Sequence, residues 1–141
     1  MTEKKRNPFK LRQFYGVNLE YIATLEERGI KSAEQMLIAG CTKAQRMTLS
    51  KETNIPDDVI LELVKLSDLA RLPGVKGIRA RLYLDAGVDS IEQMANWEPE
   101  ALQTMVAKYV VRTGFKGIPP LPKEVSSTIS NARKLPKTVE Y

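Results

Sequence analysis

The chain has 141 residues, of which 43% are hydrophobic, enough for one ordinary domain or two very small ones around a packed core. Lys plus Arg number 22 against 17 Asp plus Glu, a net charge of +5 that leans toward anionic partners. There is no histidine and one cysteine, Cys41, which excludes a Ser-His-Asp triad, a Cys-His pair, histidine-ligated metals, an internal disulfide and a cysteine-rich zinc site.

Taken in chain order, the elements read as helices. The start, MTEKKRNPFK, is basic and has no apolar stretch for a signal peptide, and no later run reaches the roughly 20 apolar residues of a membrane span. A soluble, cytoplasmic protein without a membrane partner is expected. Gly29 is placed to end a first helix in a Schellman motif, with Ile30 as its apolar contact. Ser32 with Gln35 then forms a capping box for a short helix, and Thr42 with Gln45 forms another for a helix over about Lys43 to Thr53. Pro56 fits the first position of the next helix, with Asp57 and Asp58 where the dipole favours negative charge. There Asp58, Glu62, Lys65 and Asp68 make a narrow polar stripe on an otherwise apolar helix, which predicts burial on most sides. Gly87 and Ser90/Gln93 repeat the glycine turn and the capping box. Pro99 opens a helix in which Leu102, Met105, Val106, Tyr109 and Val110 recur at helical spacing, with Trp97 as a staple onto Leu102. Gly114, Gly117, Pro119, Pro120 and Pro122 then interrupt, and weak helix formers beyond them predict a short, loosely docked helix carrying Val125, Ile129 and Ala132 on one face.

Charge is arranged in blocks. Residues 1–13 hold five basic and one acidic residue, residues 14–70 six and nine, residues 71–81 four and none, residues 82–107 none and five, and residues 108–141 seven and two. The island Arg71, Lys76, Arg79 and Arg81 between two acidic stretches would steer anions locally, or it is simply the solvated face of a helix.

The chain also repeats itself at an offset of 58 residues. Gly16 to Met36 aligns with Gly74 to Met94, and seven of the 21 pairs are identical: Gly16/Gly74, Val17/Val75, Gly29/Gly87, Ser32/Ser90, Glu34/Glu92, Gln35/Gln93 and Met36/Met94. The identities fall on helix punctuation, so the unit is helix, glycine turn, short helix, twice.

Residues Leu69 to Leu84, LARLPGVKGIRARLYL, resemble the helix-hairpin-helix motif: Pro73, Gly74 and Val75 match its loop, and Ala80 stands where a small residue lets the two helices approach. The first copy, Phe14 to Leu25, keeps Gly16 and Val17 but has Asn18, Leu19 and Ile22 where the motif has its second glycine, a polar and a small residue. In the second copy Lys76 stands in that glycine's place. Residues 14 to about 113 as a whole are similar to an uncharacterised family of paired helix-hairpin-helix domains. The resemblance implies an all-α fold, two hairpin repeats in one SAM-like helical domain over residues 14–113, between a basic N-terminal tail (1–13) and a Pro/Gly-rich connector with a short C-terminal helix or tail (114–141).

It also implies non-sequence-specific binding of a DNA or RNA backbone. Gly74, Val75, Lys76 and Gly77 would approach phosphate oxygens at a helix N-terminus, and Arg71, Arg79 and Arg81 would add charge around them. Lys4, Lys5, Arg6, Arg133, Lys134 and Lys137 would assist. The alternative is a protein-interaction or scaffolding module, since nothing in the first hairpin asks for phosphate. An enzyme is not expected, and neither a cofactor nor a metal: no P-loop, dinucleotide fingerprint, metal-ligand spacing or nucleophile elbow is present. Cys41 reads either as a reactive thiol or as a small buried residue before the Thr42 cap. Tyr109, Arg112, Phe115 and Lys116 interleave aromatics with charge as single-strand binders do, although Tyr109 belongs to a core face and Phe115 is the aromatic expected at the surface.

Overall fold

Four short polar side chains set where the first half of the fold turns, three of them accepting a hydrogen bond from an amide that a helix start leaves orphaned. A computed structural model describes residues 9–141. Asn18 caps α1 (Leu19–Glu27), Ser32 caps α2 (Ala33–Ala39) and Thr42 caps α3 (Lys43–Thr53), the last two as complete capping boxes. Asn54, the fourth, lies in the left-handed region and ends α3. α4 (Asp57–Leu69) follows, with Pro56 as the residue before the helix rather than its first residue. The second half consists of α5 (Gly77–Ala86), α6 (Ile91–Asn96), α7 (Pro99–Thr113) and α8 (Pro122–Lys134). The described chain is all-α, without a strand; only an isolated bridge pairs Lys10 with Ser32.

The turn after α1 and the turn after α5 carry the same pair of bonds. Ile30 N–H reaches back to Leu25 O (2.9 Å) and Gly29 N–H to Glu26 O (3.0 Å); 58 residues later Val88 N–H bonds Tyr83 O (2.8 Å) and Gly87 N–H bonds Leu84 O (3.1 Å). Both are the paired bonds of a Schellman motif. Packing follows the same rule, with α2 on α4 as α6 on α8, and α3 on α4 as α7 on α8. Two details differ. Where α4 precedes the second hairpin, only a single 3-10 turn, Leu11–Gln13, precedes the first. Gln93 accepts from Asp89 N–H instead of the Ser90 amide that a complete box would use.

One buried cluster runs from Leu11 to Val139 and includes α8. Contrary to the expectation of a loosely docked segment, α8 spans 13 residues and packs on α6 and α7. Its weak formers are overridden by tertiary burial: Val125, Ile129 and Ala132 form a continuous inward stripe, and full burial of a Val or Ile side chain stabilises by about 1.5–3 kcal/mol.

The polar stripe of α4 is the seam on which the second half docks. Glu62 pairs with Arg81, Lys65 with Asp89 (2.9 Å), and the buried Asp68 with Arg71 (2.9 Å). Beyond α8 the chain folds back across the first half, with Val139 buried, Glu140 N–H on Cys41 O, and buried Arg46 donating to Gly40 O (2.9 Å) and Glu140 O (2.8 Å).

Tyr141 Oη donates to Asp68 Oδ2 at 2.9 Å. Burial, then the Asp68 charge and this bond, hold the phenol well above its ordinary range. Folding therefore favours the protonated phenol, so its contribution is fully present below the unfolded tyrosine pKa of about 10 and is lost as pH rises beyond it. Urea unfolding at pH 8 and pH 10.5 is expected to show wild type losing more stability over that interval than Tyr141→Phe; parallel losses would mean the phenol is not held protonated.

Candidate nucleic-acid interface

The turns before α1 and before α5 share a backbone bond and a left-handed glycine but differ at the helix starts that follow. Phe14 N–H bonds Leu11 O and Leu72 N–H bonds Leu69 O, each at 3.1 Å, and Gly16 and Gly74 take φ of +80° and +81°. That is the left-handed region, which glycine enters without a steric penalty. The helices that follow are treated differently. In the first hairpin Asn18 Oδ1 accepts from Glu20 N–H (2.9 Å), and the Glu20 carboxylate adds negative charge in the first turn of α1. In the second, Lys76 occupies the equivalent position and supplies no side-chain cap to α5. The first helix start thus has a side-chain cap and an acidic first turn, and the second has neither and is preceded by a cation.

The residues nominated from the sequence divide into three groups. Pro73, Gly74 and Lys76 are exposed, and Lys76 Nζ lies 5.9 Å from the Phe9 ring centroid. Val75 and Gly77 are buried: Tyr15 N–H donates to Gly77 O (3.4 Å), and the Gln13 carbonyl lies against the Gly77 Cα, so the two hairpin turns touch there. The three arginines are all engaged. Arg71 donates to Asp68 and to Pro136 O (2.9 Å each), Arg79 to Glu124 (2.8 Å), and Arg81 to Tyr15 O (2.7 Å), Glu62 and Asp85. Arg81 is buried, so its charge is spent inside the fold.

The remaining groups face two different hollows. Arg71 and Lys76 border an apolar groove of about 770 Å³ with Phe9, Leu37, Ile38, Ala70 and Leu135. Gly74 and Arg79 border a hollow of about 490 Å³ closed on its far side by Leu121, Lys123, Glu124 and Thr128. The second hollow brings the hairpin loop up to the first turns of α8, whose N-terminus likewise has no side-chain cap. Lys123 was not foreseen from the sequence, although Pro122, a residue favoured at the start of a helix, marked the place. Beside this hollow Tyr83 is fully buried; desolvation raises its phenol pKa, with Arg79 opposing the shift.

Of the auxiliary cations, Lys4, Lys5 and Arg6 lie outside the described residues, Arg133 donates to Ala95 O (3.0 Å), and Lys134 and Lys137 are exposed. Cys41 is half-buried rather than buried, with Sγ 2.9 Å from Gln45 Oε1.

The described residues define an eight-helix, all-α domain. Among them no group of three His, Cys, Asp or Glu is placed to hold a metal ion, and no helix is long and apolar enough to cross a membrane. Residues 16–135 match the domain of unknown function DUF4332, and the chain belongs to that family. Searches of curated proteins and of solved structures return no match.

Proposed function

We propose that the domain is a pair of helix-hairpin-helix repeats that binds nucleic-acid backbone, without reading sequence, through the second hairpin. The observation that carries this reading is the contrast between the two helix starts: α1 is capped by Asn18 and followed by Glu20, while α5 is uncapped and preceded by exposed Gly74 and Lys76. The open start of α8 and Lys123 across the hollow give a phosphate a second set of donors. Arg79 assists by exchanging Glu124 for phosphate. Arg81, Val75 and Gly77 shape the turn from inside. Such contacts fix the position of a duplex or a single strand and carry no base information. The single cysteine suits a reducing compartment such as the cytoplasm.

The test is a titration of labelled duplex and single-stranded DNA at two salt concentrations, with Lys76→Glu/Lys123→Glu as the variant. Both residues are exposed and make no ion pair among the described residues, so the fold should tolerate the exchange. Expected is micromolar binding that weakens steeply with salt and falls at least tenfold in the variant. The variant's salt slope should also be shallower, by about one for each phosphate that is no longer neutralised. Absence of binding at low salt by a folded protein would reject the reading. A second reading, a protein-interaction module, is favoured by Ile38, 74% exposed at the edge of the apolar groove. Binding of that kind would respond little to salt.

A further inference from the structure

The junction of the two hairpin turns carries an aromatic cluster that backbone binding does not use. Tyr15 follows the buried Phe14 in the first turn and is turned outward, with 40% of its surface exposed. Phe115, from the loop between α7 and α8, meets Tyr15 edge to face (centroids 5.7 Å, 63°) and is tilted against Tyr109 of α7 (6.3 Å, 54°). Arg112 lies over the Tyr109 ring at 5.7 Å. Ile78, the second residue of α5, is also exposed and lies close to Gly117, against which the Phe115 ring packs.

We propose that Tyr15 and Phe115, backed by Tyr109, form a stacking platform for the unpaired bases of a single nucleic-acid strand. Three properties support that occupant. Tyr15 is the exposed ring, with the half-buried Phe115 and Tyr109 packed behind it, and a base stacks on such an aromatic whatever its identity. The exposed cations beside them, Lys108, Arg112 and Lys116, make no ion pair among the described residues and supply the charge that a strand's phosphates require. Glu62 and Asp85, the carboxylates that share Arg81 with the Tyr15 carbonyl, are both paired with that arginine. The platform also adjoins the proposed phosphate site: Ile78 and Arg79 are consecutive residues in the first turn of α5, one beside the aromatics and the other beside the hollow. A strand held by its backbone at Gly74 and Lys76 would thus have its neighbouring bases beside Tyr15. A duplex keeps its bases stacked inside and gains nothing from the rings.

This inference rests on the proposed nucleic-acid binding and adds to it a preference for single strands. The experiment titrates the full chain into a labelled 20-nucleotide oligothymidylate and a 20-base-pair duplex. Tyr15→Ala, Tyr15→Phe and the double variant Lys76→Glu/Lys123→Glu are compared with wild type, each checked for an unchanged melting curve. Expected is tighter binding of the single strand, a loss of about tenfold for it in Tyr15→Ala, retention in Tyr15→Phe, and no change for the duplex. Equal losses on both substrates, or none in Tyr15→Ala, would overturn the platform. If Tyr15→Ala binds the single strand as wild type does and only Lys76→Glu/Lys123→Glu weakens binding, the backbone reading stands without the platform. Binding of neither substrate overturns both.

Discussion

Replacing Gly77 by alanine is expected to destabilise the domain by about 2–3 kcal/mol, a drop in melting midpoint of roughly 6–12 °C for a domain of this size. Intrinsic propensity points the other way, because alanine in a helix is favoured over glycine by up to about 1 kcal/mol. Packing reverses the sign. A Cβ on Gly77 would fall onto the Gln13 carbonyl oxygen, with the Gln13 carbonyl carbon at 2.9 Å and Phe14 Cα at 3.2 Å. These are backbone atoms, and their segment is fixed by Leu11 N–H on Lys31 O and Phe14 N–H on Leu11 O. No rotamer change relieves the clash; the two hairpin turns must separate, and with them the bond from Tyr15 N–H to Gly77 O. Gly74→Ala is the matched control. Its Cβ would meet open space, so its cost is only the left-handed strain of about 1–2 kcal/mol at φ +81°. Thermal melts of the two variants side by side check the order. Gly77→Ala melting at or above Gly74→Ala would show that the turns do not abut.

Local punctuation was legible in the sequence because its physics is local. Ser32, Thr42 and Ser90 cap because a hydroxyl three residues before an orphan amide has one obvious partner, and the glycines at 29 and 87 close helices for a similar reason. The repeat of 58 residues rests on those same positions. What escaped was decided by partners far away in the chain. Asp68 read as one member of a polar stripe, yet it is buried and bonded by Tyr141, 73 residues on. Gly77 read as a phosphate-facing residue, and its neighbour turned out to be the first hairpin. Arg71, Arg79 and Arg81 read as one positive island because the sequence places them within eleven residues; the fold points Arg71 and Arg79 at different hollows and buries Arg81. One missed residue had left a signal. Tyr15 follows Phe14, which the core claims, at the place that Pro73 takes after Leu72, and both Tyr15 and Pro73 are exposed.

Arg81 gives the sharpest separation between support and contact. Its guanidinium ties the first hairpin to the second, with Nε on Tyr15 O at 2.7 Å and Nη1 on Glu62 of α4 and Asp85 of its own helix. The Arg81 side chain is 8% exposed, while those of Glu62 and Asp85 are 40% and 36% exposed. On loss of the arginine both carboxylates can therefore recover water, and the cost arises instead from the Tyr15 carbonyl losing its donor and from the space left by the side chain. Arg81→Ala is expected to cost about 2–3 kcal/mol, below the range for stranding a fully buried charge. Arg81→Met refills the space with an aliphatic chain and should cost about half as much. Arg81→Lys is not expected to restore wild-type stability, because one ammonium replaces a planar fork whose nitrogens diverge toward two elements. Urea unfolding of the three variants measures the order. The same variants, assayed for duplex binding well below their melting points, should keep affinities within about twofold of wild type, whereas Lys76→Glu/Lys123→Glu should lose affinity and keep stability. The reverse pattern, stability intact and binding lost in Arg81→Met, would make Arg81 a phosphate ligand and require the turn at Tyr15 to open when nucleic acid binds.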